Sequence, residues 1–300
     1  MSKTVAIFGA TGAQGAPVVA EALSKGLVVR AIARDAEKVK AAHPDARAFS
    51  ADLTDKDALV TALTGVDAAF LHLPMPTGPD DIQNWMGAFL GAAHEVGLPL
   101  LVYTTSGPTG ARFPSSVVVD GGTQGVSALL NCGIPTIVLQ PAVYLENLLP
   151  PIFLPELRSE GRLDYPPVPA SLRFQWTSHF DQARVAVAAL TKPELSGQAF
   201  EIGSPEALTG PELAELVSEW LRRDVTFDPA TPEAFGQRVG GALNNPGVAF
   251  ALSDLYGSIA QLDGDAMAVD TQSVEETFGV KLTSVAEHIA DWPKGNMAEA

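Results

Sequence analysis

Short apolar runs alternate with amphipathic segments along the first half of the chain. The runs predict strands at residues 4–8, 28–33, 46–50, 67–73, 98–104 and 135–139. Between them, apolar residues recur at helical spacing and predict helices at residues 16–25, 36–42, 55–64, 80–96 and 122–131. Repeated strand–helix units predict a parallel sheet with helices on both faces.

The pattern changes after Pro141. Prolines between residues 150 and 169 break the chain into loops and short pieces. A helix at 180–190 and a strand at 197–202 are expected to return to the first sheet, and helices near 211–222, 232–239 and beyond 250 follow. We therefore predict an α/β fold with a doubly wound parallel sheet in a domain at 1–150. A smaller, mostly helical substrate or lid region is expected at 151–300.

A glycine-rich loop joins the first predicted strand to the first helix. Gly9 permits a tight turn, Gly12 lets a pyrophosphate approach the backbone, and Gly15 lets the helix pack closely on the sheet. The helix N-terminus offers free N–H groups and partial positive charge to phosphates. This context predicts a Rossmann-type dinucleotide site, with further contacts from the other residues of the loop, Thr11, Ala13 and Gln14.

The end of the second strand favours NADP(H) as the dinucleotide. An Arg at this position accommodates the 2′-phosphate of NADP, whereas a carboxylate binds the ribose of NAD. Arg34 stands there, with Lys38 about one helical turn later, although both could be ordinary surface charges. Asp35 follows directly, so NAD(H) stays open. Asp52 and Leu53, after the third strand, are expected at the adenine, although Asp52 could equally be a turn residue.

The net charge of −16 disfavours nucleic acid and anionic membranes as partners. A single cysteine, Cys132, allows neither an internal disulfide nor a cysteine-based metal site. The scattered histidines show no metal-ligand spacing, and no metal is expected. Apolar strand residues begin at Val5 and no run is long enough to span a bilayer, so we expect a cytoplasmic protein. The oligomeric state stays open.

Four segments together resemble the NmrA-like family of atypical short-chain dehydrogenases/reductases. They are GATGAQG at the first turn, Arg34 after VVRAIA, the ADLTD segment, and IPTIVLQPAVYLENLL. The resemblance covers roughly the first 210 residues and implies a Rossmann domain with a small C-terminal substrate domain. Members of this family include NADPH-dependent reductases and redox-sensing regulators that do not turn over substrate.

The resemblance also implies roles for individual residues. It implies pyrophosphate contacts for the glycine loop and a 2′-phosphate contact for Arg34. Along the ribose and nicotinamide it implies contacts from five residues at strand ends and from the YLEN segment, namely His72, Leu73, Pro74, Thr104, Thr105, Tyr144 and Asn147.

The chain departs from the pattern of short-chain dehydrogenases in its proton-transfer residues. Those enzymes use a Tyr-x-x-x-Lys pair, in which the Lys lowers the pKa of the Tyr. No such pair occurs near residues 120–124, and Gly122 stands about where reductases of this family often keep a lysine. Gln140 also replaces the usual Arg before Pro141. Lysine-assisted proton transfer is therefore not expected.

Other residues are candidates for catalysis and substrate binding. His179, Tyr103 and Tyr144 could donate a proton, because they are expected near strand ends that face the nicotinamide. The alternatives are a capping or packing role for His179 and packing in the sheet for Tyr103; His72 could likewise be a core histidine. Met75, Ser106 and Trp176 are the candidate substrate contacts. For the apolar Met75 and Trp176, core packing is the commoner role.

Two hypotheses follow for function. The first is an NADP(H)-dependent reductase that transfers hydride to a small apolar carbonyl, quinone or conjugated acceptor. The second is a non-catalytic NADP(H)-binding redox sensor or regulatory protein. The missing lysine favours the second hypothesis, and aromatic residues that could line an apolar pocket fit both.

Overall fold

The computed structural model describes residues 2–292. Its strands, in chain order from β1 to β11, are Thr4–Phe8, Val28–Ala33, Arg47–Ser50, Ala68–Leu71, Leu101–Thr104, Thr136–Pro141, Val143–Tyr144, Arg162–Leu163, Trp176–Thr177, Gln198–Ile202 and Thr226–Phe227. Its helices, from α1 to α12, are Gly15–Ser24, Ala36–Ala42, Lys56–Leu63, Asp81–Val96, Val117–Leu130, Leu157–Glu160, His179–Ala189, Gly210–Leu221, Pro232–Ala242, Pro246–Ile259, Thr271–Phe278 and Val285–Ala290. Two 3-10 helices cover Leu145–Leu148 and Pro193–Leu195.

Seven strands form one parallel sheet in the order β10-β6-β5-β4-β1-β2-β3. The chain runs from β1 outward to β3, then crosses to the other side of β1 to place β4. This reversal is the topological switch point of a doubly wound sheet, where ligands bind outside the carboxyl ends of the strands. The predicted Rossmann-type fold is confirmed.

Apolar layers cover both faces of the sheet. On one face, Val18 of α1, Ala186 of α7 and Phe278 of α11 belong to one buried cluster. On the other face, Leu59 of α3 and Phe89 of α4 belong to a second. Strands enclosed on both faces are near-continuous apolar runs, which explains why the sequence pattern identified them.

A third apolar cluster organises the rest of the chain. Its largest fully buried side chains include Tyr165, Phe174, Trp176 and Phe235. The rings of Tyr165 and Phe235 stack with their centroids 5.1 Å apart. The short pairs β7–β9 and β8–β11 and helices α8, α9, α10 and α12 surround this core. The division of the chain at residue 150 stays a prediction.

Helix α5 begins at Val117, five residues before the predicted start at Gly122. Ser116 caps it by accepting a hydrogen bond from the Val119 amide (3.1 Å). Asp254 of α10 binds the same terminus, accepting from the Ser116 hydroxyl (2.6 Å) and the Val118 amide (3.0 Å). The early start therefore depends on a side chain from a distant part of the sequence.

None of the helices within residues 2–292 combines the length and the apolar character needed to cross a membrane.

Candidate functional site

The carboxyl ends of the parallel strands bring the predicted site residues to one edge of the sheet. Gly9 follows β1, Arg34 follows β2, His72 follows β4 and Thr105 follows β5. Because β1 and β4 are neighbours, Gly9 and His72 lie at the switch point itself. The carboxyl ends of these two strands are therefore where a ligand is expected in such a sheet.

The glycines of the loop between β1 and α1 stand at positions with little or no room for a side chain. Gly9 has a φ of +68°, and its carbonyl accepts a hydrogen bond from the Gly12 amide (2.8 Å). A β-carbon built on Gly15 would lie 2.2 Å from the Gly9 carbonyl oxygen, and one on Gly12 would lie 3.3 Å from it. The backbone is therefore exposed at close range, as a pyrophosphate requires.

The N-terminus of α1 is left open to a ligand by its capping residue. Gln14 occupies the cap position but makes no side-chain hydrogen bond to the helix. Its side chain instead donates to the Ser106 hydroxyl (3.1 Å) and accepts from the Tyr144 hydroxyl (3.0 Å). The partial positive charge of this terminus is therefore available to an anion. These features fit the phosphates of a dinucleotide.

Arg34 and Asp35 have different roles at the end of β2. The Asp35 carboxylate caps α2, accepting from the amides of Glu37 (3.0 Å) and Lys38 (3.2 Å). The Arg34 side chain is exposed and makes no ion pair within residues 2–292. The capping role of Asp35 leaves a cation, not a carboxylate, free at the position that distinguishes NADP from NAD.

Asp52 forms a local turn after β3. Its carboxylate accepts from the hydroxyl (2.7 Å) and the amide (2.9 Å) of Thr54, and these bonds lower the pKa of Asp52. Leu53 is half-buried against the apolar cluster that covers α3 and α4. The adenine contact of both residues stays a prediction.

His72 packs directly on the glycine loop. Its Nε2 atom lies 2.1 Å from the place a Gly9 β-carbon would occupy. Burial lowers the pKa of His72, and neither ring nitrogen has a hydrogen-bond partner within residues 2–292. Beyond it, Leu73 is half-buried and Pro74 is exposed, and Met75 is 57% exposed. This segment forms an apolar edge beside the candidate site.

A hydroxyl–amide network links the loop to the strand ends. The Tyr144 hydroxyl lies 2.5 Å from Gln182 Oε1 and 3.0 Å from Gln14 Oε1, and its single proton serves one of them at a time. Thr104 donates to Gln182 (3.3 Å), and the Ser106 amide donates to Thr104 (3.4 Å). Burial raises the pKa of Tyr144 well above its ordinary value, so the hydroxyl stays protonated.

Gln182 is a member of this network that the sequence analysis missed. It is fully buried on α7, where the other buried residues are Ala and Val apart from Asp181 in the first turn. A long polar side chain at a core position requires a hydrogen-bond partner. That break in the apolar pattern of DQARVAVAAL is the signal that could have found it.

His179 lies beside the network, at the first turn of α7. Its ring centroid is 4.5 Å from that of Tyr144. Burial is the main reason why the pKa of His179 falls to about 4. Glu146 faces it, and Asn147 turns the other way, donating to the Tyr165 hydroxyl (2.9 Å) in the core of the C-terminal region.

Two candidate residues pack against apolar clusters, and their side chains make none of the hydrogen bonds of this network. Trp176 is 1% exposed, with its ring centroid 5.1 Å from that of Phe174. Tyr103 packs against the cluster covering α3 and α4, and burial raises its pKa to about 12.

Thr105, another predicted cofactor contact, has a local role in the loop after β5. Its hydroxyl donates a hydrogen bond to the carbonyl of Gly107 (2.6 Å).

Position 122, where reductases of this family often keep a lysine, is covered by the loop that contains Thr109 and Gly110. A β-carbon on Gly122 would lie 2.9 Å from the Cγ2 atom of Thr109. Gly110 donates its amide to the Thr123 hydroxyl (2.9 Å), and Gln140 donates to Thr109, so this loop is bound to both α5 and β6. A longer side chain at position 122 would therefore displace a bonded loop.

The family model described as "NmrA-like family" matches residues 1–292. The chain belongs to the NmrA-like family. It is 31% identical over 270 residues to an NAD(P)H azoreductase of Xenophilus azovorans, covering 89% of this chain and 91% of that protein.

Two solved structures have the same fold as this NmrA-like protein. One is an NADPH-dependent quinone oxidoreductase of Escherichia coli in complex with NADPH, with a TM-score of 0.76 and 22% identity. The other is the triphenylmethane reductase of Citrobacter sp., with a TM-score of 0.76 and 19% identity. For each structure, the matched region covers 96% of this chain and 98% of the chain in the solved structure.

The described part of this NmrA-like protein, residues 2–292, contains no group of three or more His, Cys, Asp or Glu side chains arranged to hold a metal ion.

Proposed function

We propose that this chain is an NADP(H)-dependent reductase that transfers hydride to a small apolar acceptor, a carbonyl, quinone or conjugated compound. The observation that carries the proposal is the glycine loop at the switch point, where the His72 ring excludes a side chain at Gly9, the Gly9 carbonyl excludes one at Gly15, and Gly12 leaves little space. When bound, the reduced dinucleotide would supply the hydride. The protein would supply binding, orientation and proton transfer.

The cofactor would be held by three groups of residues. The loop residues Thr11 and Ala13, with the open N-terminus of α1, would bind the pyrophosphate. Arg34 would pair with the 2′-phosphate, and Lys38 on the next turn would add to the positive charge. His72, Thr104 and Tyr144 would line the ribose and nicotinamide side.

The class of acceptor is supported by the apolar edge and by the relatives. Met75 is exposed beside His72, and an exposed apolar side chain at the mouth of a crevice suits an apolar ligand. The names of the relatives refer to azo compounds, quinones and triphenylmethanes, which are all conjugated acceptors. We propose the same broad class for this chain.

The test is oxidation of NADPH, followed by the absorbance of the reduced nicotinamide, with a panel of quinones, aldehydes, enones and cationic dyes. Turnover of at least one acceptor is expected, and NADPH should be preferred over NADH. Tight binding of NADPH without turnover of any acceptor would reject the reductase.

The second candidate function is a sensor whose NADP(H) occupancy changes its binding to another protein. The observation in its favour is that Gly122, with the Thr109 loop packed on it, stands where reductases of this family often keep a lysine for proton transfer. Binding without turnover in the acceptor panel is the result that this alternative predicts.

A further inference from the structure

Glu146 and His179 form a buried pair at the edge of the candidate site. Glu146 lies in the 3-10 helix after β7, and its Oε1 atom accepts from the backbone amide of His179 (2.9 Å). Its Oε2 atom lies 3.6 Å from Nδ1 of the His179 ring. That oxygen is buried and has no hydrogen-bond partner within residues 2–292, so the imidazole is the group it faces.

The His179 ring lies beside residues proposed for the nicotinamide side of the cofactor site. The ring packs on Tyr144, whose hydroxyl binds Gln14 of the glycine loop. Nε2 of His179 makes no hydrogen bond in the part of the chain that the structure describes, and the side chain retains 12% exposure. One ring nitrogen therefore faces a carboxyl group, and the other is free to contact a ligand.

Charged neighbours leave this pair without a strong counter-ion. Asp181 of α7 is already bound by Arg184 (2.9 Å), His288 of α12 (3.0 Å) and the Thr283 amide (2.9 Å). His288 attracts the negative charge of Glu146 while Asp181 repels it, and His72 repels positive charge on His179. Tyr144, from β7, stays neutral because its pKa is raised.

Burial dominates the protonation of both partners. It raises the pKa of Glu146 and lowers that of His179 to about 4. Both shifts favour uncharged forms, a protonated carboxyl facing a neutral imidazole. A protonated Oε2 that faces Nδ1 across 3.6 Å favours the tautomer with the ring proton on Nε2.

We propose that Glu146 and His179 hold one transferable proton between them and deliver it from Nε2 of His179 to the oxygen of a carbonyl acceptor. This inference rests on the proposed reductase function. The hydride and its electron pair add to the carbonyl carbon, which leaves an alkoxide. The alkoxide takes the Nε2 proton, and Nδ1 takes the Glu146 proton. The step ends with an alcohol, a neutral imidazole and a Glu146 carboxylate, which solvent later reprotonates.

The pair would therefore perform the task that a Tyr-x-x-x-Lys pair performs elsewhere. His179 would be the group that touches the reacting oxygen, and Glu146 a positioning residue that acts through it. Acceptors that need no proton would bypass the pair, because a cationic dye that receives a hydride becomes neutral directly.

The first test is independent of turnover. Nitrogen-15 NMR of the histidines in the full-length protein without cofactor reports which ring nitrogen carries the proton. The expected result is a neutral His179 protonated on Nε2 at neutral pH. Glu146→Gln should keep this tautomer, because an amide N–H can donate to Nδ1. Glu146→Ala removes the group that faces Nδ1, so this tautomer should no longer be favoured. A ring protonated on Nδ1 and facing an ionised Glu146 in the wild type would overturn the proposal.

The second test compares an aromatic aldehyde, which needs a proton, with a cationic triarylmethane dye, which does not. His179→Asn and Glu146→Gln should each lower kcat for the aldehyde by about a hundredfold, the scale of general acid catalysis. The rate with the dye should fall far less, so that the ratio of the aldehyde rate to the dye rate drops by at least about tenfold, since none of the removed groups transfers hydride. The fall of aldehyde kcat at high pH, where the wild-type pair loses its proton, should be absent in Glu146→Gln.

The outcomes separate this inference from the proposed function. Equal losses with aldehyde and dye would indicate a purely structural role and overturn the inference. Wild-type turnover of the dye but of no aldehyde would also overturn it, while the reductase function would stand. Turnover of neither acceptor, nor of any other acceptor in the panel, would reject the reductase function itself, and with it the delivery step.

Discussion

The imidazole of His72 occupies the space that a side chain on Gly9 would need. A β-carbon on Gly9 would lie 2.1 Å from Nε2 of His72, far inside van der Waals contact. Gly9 follows β1 and His72 follows its neighbour β4, so the contact lies at the switch point, at the carboxyl ends of these two strands. Two features therefore require glycine at position 9. One is its φ of +68°, and the other is the His72 ring, which occupies the space of a β-carbon.

Gly9→Ala should destabilise the protein and weaken NADPH binding. The positive φ costs roughly 1–2 kcal/mol for an alanine, and the clash with His72 adds to this. Gly26→Ala is the matched control, because Gly26 has a φ of +73° with nothing within 4 Å of its β-carbon. The free energy of unfolding, from denaturant titration, should fall more for Gly9→Ala than for Gly26→Ala. Adding His72→Ala should recover part of the difference, and equal losses at both glycines would contradict the contact.

Arg34→Ala should reduce NADPH affinity and leave NADH affinity nearly unchanged. A lost charge-assisted contact to the 2′-phosphate corresponds to about a ten- to hundredfold rise in Kd for NADPH. Lys40→Ala, which removes an exposed cation from the far end of α2, is the control for net charge. Fluorescence titration with both nucleotides measures the effect. Equal losses for NADPH and NADH would remove Arg34 from the 2′-phosphate.

His179 should make the stability of the fold depend on pH between about 4 and 6.5. The folded pKa of His179 is depressed to about 4 from the ordinary 6.5, with burial as the main cause. Below 6.5 the unfolded chain therefore binds a proton that the folded chain does not, and stability falls as the pH falls through this window. Glu146, whose pKa is raised by burial, acts in the opposite direction.

The comparison with His179→Asn isolates the histidine. The stability of the wild type relative to this variant should decrease from pH 6.5 to pH 4, because the variant keeps Glu146 and lacks the imidazole. Urea unfolding at a series of pH values measures the difference. A constant difference across the window would show that His179 titrates normally in the folded protein.

Asp254→Asn should destabilise the N-terminus of α5. The carboxylate accepts from the Ser116 hydroxyl and from the amides of Val117 (3.3 Å) and Val118 (3.0 Å). Loss of a charged cap costs about 1–2 kcal/mol. Asp120→Asn, in the first turn of the same helix and exposed, is the control for the helix dipole alone. Hydrogen exchange of the Val117–Val119 amides should rise in Asp254→Asn only, and protection equal to wild type would contradict the cap.

Local pattern predicts most of the sheet and the glycine loop. The strand at 28–33 and the helix at 36–42 have the predicted bounds, because a buried parallel strand and a capped helix both leave periodic signals in the sequence. The predicted start of α5 at Gly122 is wrong by five residues, because the helix begins at Val117. Glycines inside that helix weaken its propensity, and the cap that compensates comes from Asp254, 138 residues away from Ser116.

The candidate site divides in the same way. The roles proposed for Gly9, Gly12, Gly15 and Arg34 can be predicted from the sequence alone, because backbone freedom at a strand–helix turn and charge at a strand end are local properties. The tertiary structure alone decided that Glu146 faces His179, 33 residues further along, and that Gln182 is buried against Tyr144. Burial and pairing of such groups depend on how distant segments pack, and packing shifts their pKa values. Sequence therefore predicts where a dinucleotide would bind and names His179 as a candidate proton donor, whereas only the fold places Glu146 against that histidine.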